Sequence, residues 1–468
     1  MKGYYALAGE VTAKMPRTEC TELLWELWNN STFGQSELSI VEWKENKIEL
    51  GSGDFLPLSE GEEYTLSVTE RGVGILGRDR AGLMRGFMAL LLRFIAVEMD
   101  GKCLPTLPLG KIRGKFSVGR RMLHVCLFPE HDFVFIRRLL RYACMLQYTH
   151  IVLEFWGTYR FECFPELGWE NAYTRGEVEL LIREIRALGA EPVPMFNSLG
   201  HAPGSRGCSG KHVVLDQAPE LAYLFTPDGW AWDIASETVF KRLAEVRREL
   251  CELFGDGEYF MIGCDEAEVY TKGYRSEDAV AAYLGRLTES VVREGRKPII
   301  WGDMLLHKGC VPEDKGRFWS CNAKNAEQAE KYRTSLAAGT VIADWQYRYA
   351  ATDPCEQKTA VYLDSLGYDV IACPFYDLNV VRQTAKTVRD YKLYGYMQTM
   401  WDRLHECPGV ILNGALECGL PKELWLEYSE AVSILAAAVW RKLKCGNKEY
   451  KHQGFNDVQF VKNTRPSL

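Results

Sequence analysis

Two adjacent acids, Asp265 and Glu266, end the apolar segment EYFMIGCDEAEVY at residues 258–270. Neighbouring carboxylates at the end of a buried element repel each other and lose hydration, so some other contribution must offset that cost. Where two carboxylates act on opposite sides of one scissile bond, they normally come from different strands. Adjacent residues of one strand end point in divergent directions, which favours one proton donor beside one carboxylate that holds a substrate group. A metal or salt-bridge pair is the alternative.

Further acids and aromatic side chains lie at the ends of other apolar segments. The set comprises Glu154, Trp156, Asn197, His201, Trp301, Asp303, Asp344, Trp345, Tyr347, Tyr376, Asp377, Trp401 and Asp402. Aromatic faces stack on sugar rings and carboxylates bind hydroxyls or transfer protons, so this composition suits a sugar pocket. Single members also have ordinary interpretations, since Asp303 or Asp402 could cap a helix and His201 could be a loop histidine.

Eight continuous apolar segments alternate with helical patterns after residue 115, as parallel strands covered on both faces do. They span 121–128, 150–156, 191–196, 259–266, 298–305, 341–347, 369–376 and 396–401. The predicted fold class is α/β, a (β/α)8 TIM barrel whose active site lies at the carboxyl ends of the strands. A doubly wound open sheet is the competing arrangement, although no GxGxxG or GxxxxGKS/T motif supports a nucleotide-binding version.

Residues 1–115 have a different pattern. YTLSVTERGVGILG alternates apolar and polar residues, which predicts a hairpin with its turn near Arg71, and RAGLMRGFMALLLRFIAV predicts a helix packed on that sheet. We therefore predict a small α+β domain over 1–115, a catalytic barrel over 116–445 and a C-terminal tail over 446–468. The Pro/Gly-rich segment LPTLPLGKIRG (104–114) is interpreted as a linker.

Composition and charge argue against several classes of partner. The 468 residues carry a net charge of −7 without a long basic run, which disfavours nucleic acid. No segment has the length of a membrane span, and the N-terminus has no long apolar leader. The 15 cysteines are scattered without the spacing of a zinc site, which predicts reduced thiols and a cytoplasmic location. We expect no cofactor and no metal, and a homodimer is compatible with the sequence.

Several of these motifs resemble one family. EEYTLSVTERGVGILGRDRAGLMRGFMALLLRF (62–94) is similar to the end of the small domain that precedes the barrel in glycoside hydrolase family 20, the β-N-acetylhexosaminidases. EPVPMFNSLGHAPGSR resembles that family's third-strand segment ending in Pro-Gly-His, and YFMIGCDEAEVY resembles its His-x-Gly-Gly-Asp-Glu motif. KPIIWGDML, VIADWQY and YMQTMWD resemble its tryptophan-bearing strand ends. The chain is therefore similar to a divergent bacterial member of this family.

The resemblance implies a retaining exo-β-N-acetylhexosaminidase that acts on terminal GlcNAc or GalNAc, with the substrate's own acetamido group as the nucleophile. Glu266 would be the general acid/base, and Asp265 would orient the acetamido group. The implied substrate-binding residues are Arg120 or Arg121 at the ring hydroxyls, Glu154 and His201 beside the acid, Trp301, Trp345 and Trp401 around the acetamido group, Tyr376 as its hydrogen-bond donor, Asp377 next to it, and Arg403 where an acid usually binds the outer hydroxyls.

The chain departs from the family pattern in its central motif and in its first strand. Met261 and Cys264 replace the histidine and the second glycine of the motif, and RRMLHVC lacks the Asp of the first strand. Tyr376 and Asp377 lack the spacer that normally separates them. An arginine at position 403 leaves the substrate identity open, including a substrate with an anionic substituent.

Two other functions are compatible with these residues. The altered sugar contacts also fit a carbohydrate-binding barrel without turnover, or a related glycosidase with changed specificity. A metal-dependent barrel hydrolase would use Asp265, Glu266, Asp303 and His201, although the sequence has no HxH spacing to support it.

Overall fold

The computed structural model describes residues 3–7, 9–32, 34–99, 102–128, 131–205, 214–312, 319–347, 356–402 and 404–424. The predicted tail over 446–468 lies outside these residues. Within the described ranges the chain forms a closed barrel of eight strands, a six-stranded sheet and a three-stranded sheet. This is the predicted α/β class, a barrel preceded by smaller sheets with their own helices.

Two open sheets precede the barrel. Their strands are β1 (Tyr4–Ala6), β2 (Gly9–Met15), β3 (Ser36–Glu42), β4 (Lys47–Gly51), β5 (Tyr64–Thr69), β6 (Gly72–Gly77), β7 (Ile95–Met99), β8 (Lys102–Pro108) and β9 (Gly110–Gly114). The larger sheet has the order β3-β2-β4-β6-β5-β9, and the smaller one has the order β1-β8-β7. The predicted hairpin is confirmed, because β5 and β6 pair antiparallel around Arg71.

Two helices accompany these sheets, α1 (Thr21–Ser31) and α2 (Arg80–Leu92). Helix α2 is the predicted one, and Asp79 caps it by accepting a hydrogen bond from the backbone N–H of Gly82. Gly86 lets the helix lie close to the sheet, since a Cβ there would lie 2.6 Å from the side chain of Ile75. The helix is apolar around most of its circumference because the six-stranded sheet and the barrel both cover it.

The interpretation of 104–114 as a linker is wrong. The segment forms most of β8 and all of β9, which pair with β7 and β5. Proline removes one backbone donor, but its fixed φ is compatible with extended backbone. The composition of the segment therefore indicated a break where the chain continues as strand.

The barrel strands are β10 (Arg121–Cys126), β11 (His150–Glu154), β12 (Glu191–Met195), β13 (Tyr259–Gly263), β14 (Lys297–Trp301), β15 (Val341–Trp345), β16 (Val370–Cys373) and β17 (Gly395–Met400). Each strand pairs parallel with the next, and β17 pairs parallel with β10 to close the barrel. All eight predicted strands are confirmed, and the open-sheet alternative is wrong. The carboxyl ends of these strands form the mouth of the barrel.

The helices of the barrel are α3 (Phe133–Met145), α4 (Arg175–Ala187), α5 (Glu237–Phe254), α6 (Glu268–Thr271), α7 (Glu277–Arg293), α8 (Ala326–Ser335), α9 (Lys358–Ser365), α10 (Leu378–Tyr391) and α11 (Pro408–Glu417). The predicted capping box of α4 is present, with reciprocal hydrogen bonds between Thr174 and Glu177. Within the described part of the chain, no helix combines the length and apolar character needed to cross a membrane.

Alternate residues of each strand fill the barrel interior. The buried interior cluster takes Met122 from β10, Val152 from β11, and Val193 and Met195 from β12, and it continues around the barrel in the same way. Side chains of a strand alternate between its two faces, so His124 and Glu154 also point inward, whereas Arg121 points outward. This parity decides which predicted residues can reach the mouth.

A buried ion cluster joins the small domain to the barrel. Glu63 accepts hydrogen bonds from Arg85 at 2.6 Å and from Arg121 at 2.9 and 3.0 Å. Arg85 also donates to the backbone oxygen of Gly189 on the barrel side. Burial opposes ionisation of Glu63, but the two guanidinium groups outweigh it and lower its pKa. The two parts of the chain are thus fixed to each other by charge as well as by apolar packing.

Candidate active site

The carboxylate pair follows β13 on a turn of left-handed backbone. Gly263, Cys264 and Glu266 have φ angles of 68°, 74° and 48°, a region that residues other than glycine rarely adopt. A Cβ on Gly263 would lie 1.6 Å from Oδ1 of Asn197, so glycine is required at this position. The strand therefore ends at Gly263, and Asp265 and Glu266 lie just beyond it at the mouth of the barrel.

His201 brings the two carboxylates together. Its Nε2 lies 3.2 Å from Oδ2 of Asp265 and 3.1 Å from Oε2 of Glu266. The predicted divergence of the adjacent side chains is wrong, because the left-handed turn lets both reach one imidazole nitrogen. Gly200 permits this approach, since a Cβ there would lie 1.8 Å from the backbone oxygen of Asp265. The histidine predicted beside the acid is a shared partner of both acids.

The two acids have different environments. The side chain of Asp265 is 4% exposed, whereas that of Glu266 is 38% exposed. Oδ1 of Asp265 is buried and has no hydrogen-bond partner among the described residues. Buried polar atoms normally have a partner, so this oxygen is suited to a donor that a ligand supplies. Glu266 can exchange a proton with a group bound at the mouth.

Trp230 contacts both Glu266 and His201, although no sequence pattern marks it as a site residue. Its indole N–H donates to the backbone oxygen of Glu266 at 2.6 Å, and its ring centroid lies 4.6 Å from that of His201. The residue belongs to a long segment between β12 and α5 that has little regular structure. Its place in the site depends on how that segment folds back, which no local pattern indicates.

Asp303 is a third acid at the mouth and is 1% exposed. Burial and the negative charge of nearby Asp265 raise the pKa of Asp303 to about 8. Gly302, and not Asp303, is the N-cap of the short helical turn Asp303–Leu305, so the helix-cap interpretation does not hold. Instead it accepts hydrogen bonds from Glu266, Asn322 and Trp345.

The floor of the site contains a buried histidine that the sequence analysis missed. Nε2 of His124 lies 2.9 Å from Oε2 of Glu154, and both side chains are fully buried. The other oxygen of Glu154 accepts from Trp156 and from Asn197, both at 2.6 Å. Glu154 was predicted to contact substrate, but its position shows that it orients three neighbouring side chains. His124 occupies the first strand, where the family pattern has an Asp.

Aromatic rings form one wall of the site. The rings of Trp301 and Trp401 lie 5.3 Å apart, and those of Trp345 and Tyr347 lie 5.1 Å apart. Trp301 is fully buried, and its indole nitrogen has no hydrogen-bond partner among the described residues. The structure thus brings the three predicted tryptophans to the mouth, with Tyr347 as a fourth member.

Neither predicted arginine reaches the mouth. Arg121 begins β10 and points outward to Glu63, while Arg120 donates to the hydroxyl of Tyr259 and stacks 3.9 Å from the ring of Tyr394. Both therefore lie at the amino end of a strand of six residues, and a strand rises about 3.3 Å per residue. The prediction that either arginine binds ring hydroxyls is wrong, because the whole length of β10 separates them from the acids.

Two further predicted residues have other partners, and one lies outside the described residues. Asp377 is exposed and caps α10 by accepting from the backbone N–H groups of Asn379 and Val380. Tyr376 donates its hydroxyl proton to Glu406 at 2.9 Å. Strand β16 already ends at Cys373, so this pair belongs to the start of the following helix, and its sugar contacts stay a prediction. Arg403 lies outside the described residues.

One group of three side chains in the described ranges is close enough to share a metal ion, and it lies at the other end of the barrel. His150, Glu191 and Glu258 have ligand atoms within 4.8 Å of one another. His150 and Glu191 begin β11 and β12, and Glu258 precedes β13. The four residues of the metal-hydrolase alternative are not part of this group.

Known proteins resemble this chain in part of its sequence and in its fold. No protein-family model matches the chain. The β-hexosaminidase of Porphyromonas gingivalis (strain ATCC BAA-308 / W83) is 23% identical over 313 residues, which is 58% of this chain and 39% of that protein. The match thus spans about two fifths of the length of that relative.

Solved structures match over almost the whole chain. The β-N-acetylhexosaminidase from Bacteroides fragilis NCTC 9343 has a TM-score of 0.63 at 17% identity, over 95% of this chain and 93% of that one. The family 20 β-N-acetylhexosaminidase from Streptomyces coelicolor A3(2) has a TM-score of 0.62 at 16% identity, over 94% and 93%. The family 20 exo β-N-acetylglucosaminidase from Vibrio harveyi, solved with N-acetylglucosamine, has a TM-score of 0.63 at 12% identity, over 93% and 74%. The predicted resemblance to glycoside hydrolase family 20 is thereby confirmed: the chain has the fold of this family, and part of its sequence is similar to a β-hexosaminidase.

Proposed function

We propose that the chain is a retaining exo-β-N-acetylhexosaminidase that hydrolyses terminal β-linked GlcNAc or GalNAc, with the acetamido oxygen of the substrate as nucleophile. The observation that carries this proposal is the buried Oδ1 of Asp265, which has no hydrogen-bond partner among the described residues. An acetamido N–H is a donor of the kind this oxygen needs. The relatives' names agree with a substrate of this class.

In this mechanism Glu266 gives its proton to the departing glycosidic oxygen while the acetamido oxygen attacks the anomeric carbon. The resulting oxazolinium ring carries positive charge, and the carboxylate of Asp265 accepts the N–H and stabilises that charge. Water then attacks the anomeric carbon, Glu266 takes its proton, and the ring reopens. The anomeric configuration is retained because two successive substitutions occur at the anomeric carbon and each inverts it.

The surrounding side chains support these roles. His201 contacts both carboxylates through one nitrogen and so keeps the proton donor next to the orienting acid. Trp301, Trp345 and Trp401 supply apolar surface for the acetamido methyl and the sugar face. The donor to the acetamido oxygen is the hydroxyl of Tyr347 in this proposal, since the hydroxyl of Tyr376 is bonded to Glu406.

The test uses an aryl β-N-acetylglucosaminide, its galacto counterpart and an aryl β-glucoside without the acetamido group. We expect the wild type to cleave at least one N-acetyl substrate and to resist the plain glucoside. Glu266→Gln should lose about 10²- to 10⁴-fold in kcat/KM, since general acid catalysis contributes that much. Asp265→Asn should also lose activity strongly.

A matched control is an exposed glutamate of the barrel. Glu289→Gln on helix α7 should keep wild-type activity, because Glu289 forms an exposed pair with Arg293 of the same helix. Equal turnover of the plain glucoside would refute the acetamido nucleophile. Tight binding of the sugar without turnover by the wild type would instead support the carbohydrate-binding alternative.

A further inference from the structure

Asp303 connects three parts of the barrel mouth. Its Oδ2 accepts from the backbone N–H of Glu266 at 2.9 Å and from the side-chain amide of Asn322 at 2.7 Å. Its Oδ1 accepts from the indole N–H of Trp345 at 3.1 Å. One buried carboxyl group therefore joins the turn after β13, the loop after β14 and the end of β15.

Glu266 needs such support because, apart from the contact of its carboxylate with His201, its side chain is not held by packing. Its side chain is 38% exposed, so packing does not determine its direction. Its φ of 48° is unfavourable for a residue with a Cβ and persists only where the surroundings impose it. Its backbone is bonded on both sides, through its N–H to Asp303 and through its oxygen to Trp230. These two contacts set the position from which its carboxyl group can act.

We propose that Asp303 is a positioning residue for the reaction: by holding the backbone N–H of Glu266 and the indole of Trp345, it places the proton donor relative to the acetamido pocket. This inference rests on the proposed function. Asp303 touches no reacting atom in this proposal and acts through Glu266. Its loss should therefore impair protonation of the leaving oxygen more than it impairs binding of the sugar.

The substitution Asp303→Asn tests this with little change in volume. Both carboxyl oxygens of Asp303 accept from N–H groups, and in asparagine one of these oxygens becomes an NH2 group, which cannot accept. The variant therefore loses at least one of these hydrogen bonds. Asp344→Asn is the matched control, because Asp344 is also buried and also has three hydrogen-bond donors, the side chains of Gln346, Gln357 and Thr359. Those contacts lie within the β15 and α9 region and do not include Glu266.

The readout is the dependence of kcat on the leaving group. An aryl N-acetylglucosaminide with a very acidic phenol departs without a proton, whereas one with a weakly acidic phenol needs the acid. Asp303→Asn should lose about 10²-fold or more in kcat on the weakly acidic phenol, at the lower end of general acid catalysis, with KM within a few fold. It should lose far less on the acidic phenol. Asp344→Asn should show the same small change on both substrates.

Equal losses of Asp303→Asn on the two phenols would overturn the inference, because a general structural defect does not distinguish leaving groups. In that case the ratio of the kcat values on the two phenols would be the same in the variant and in the wild type. Circular dichroism and thermal unfolding of both variants show whether the fold is retained, and Asp303→Glu provides a second variant that keeps the carboxyl group. If the wild type cleaves no N-acetyl substrate, the proposed function fails, and that result is distinct from failure of the role of Asp303.

Discussion

The hydroxyl oxygen of Tyr347 accepts a hydrogen bond of 2.6 Å from the indole N–H of Trp401. The hydroxyl of Thr399 lies 3.2 Å away and has a closer acceptor of its own, the backbone oxygen of Pro374 at 2.7 Å. A phenol oxygen that accepts from an indole N–H keeps its own proton for donation to another acceptor. Burial, together with the negative charge of Asp265, raises the pKa of Tyr347, which keeps that proton in place. Tyr347 is thus a neutral donor close to the orienting acid.

Tyr347→Phe should therefore lower kcat/KM on an aryl N-acetylglucosaminide about tenfold, the value of roughly one hydrogen bond. Tyr376→Phe is the control and should change it less than twofold, because that hydroxyl is bonded to Glu406. Steady-state kinetics of the two variants decide between the two tyrosines. A large loss in Tyr376→Phe with none in Tyr347→Phe would restore the role that the sequence resemblance gave to Tyr376.

Glu154→Gln should destabilise the protein. In one orientation the new amide nitrogen faces the N–H donors of Trp156 and Asn197. In the other orientation it faces Nε2 of His124, which is also a donor when that nitrogen carries a proton. We expect the free energy of unfolding to fall by about 1–3 kcal/mol, the cost of a buried polar group without a partner. Urea unfolding followed by tryptophan fluorescence measures this change.

The control for this variant is Glu179→Gln on helix α4, where the glutamate forms an exposed pair with Arg175. Its unfolding free energy should change by less than about 1 kcal/mol, since exposed pairs contribute little. Equal effects at both positions would show that the buried cluster around Glu154 is not under the constraint inferred here.

The barrel could be predicted from the sequence because its strands are buried on both faces and therefore appear as continuous apolar runs. The acids at positions 265 and 266 and the tryptophans at 301, 345 and 401 were found for the same reason, since they directly follow those runs. His124 was missed because it lies inside a run, where the parity of the strand, and not a motif, turns it toward the site. Trp230 was missed because its loop has no repeating pattern.

The arginines at positions 120 and 121 show a different limit of prediction. A resemblance assigned a role to a residue type near a strand, but the amino and carboxyl ends of one strand lie at opposite ends of the barrel. Arg121 connects the barrel to the small domain by donating a hydrogen bond to Glu63, which is 58 positions away in the sequence. Ion pairs of this kind depend on how two domains pack against each other, so they cannot be predicted from the sequence of either segment alone.

Arg121→Ala should destabilise the protein without changing how it binds sugar. It leaves Glu63 with one guanidinium partner in a buried position, and breaking a buried ion pair costs roughly 3–5 kcal/mol. KM for the aryl N-acetylglucosaminide should stay at the wild-type value in the folded fraction, because β10 separates the residue from the mouth. Denaturant unfolding and kinetics on the same preparation test both parts, with Arg175→Ala as an exposed control. A raised KM with unchanged stability would contradict the placement of Arg121.

The stability of the protein should depend on pH through Asp303. An aspartate in the unfolded chain ionises near pH 4, whereas burial and Asp265 raise the folded-state pKa of Asp303 to about 8. Between these values the folded protein holds a proton that the unfolded chain has released. The contribution of Asp303 to the free energy of unfolding is therefore fully present below about pH 4 and is lost as the pH rises to about 8.

Asp303→Asn cannot titrate, and the difference in unfolding free energy, wild type minus variant, should therefore fall steadily from about pH 5 to about pH 8. Urea unfolding of both proteins across this range measures the difference. Parallel curves across this range would overturn the prediction, because they would show that Asp303 is ionised throughout and that its three donors hold its pKa at or below the ordinary value.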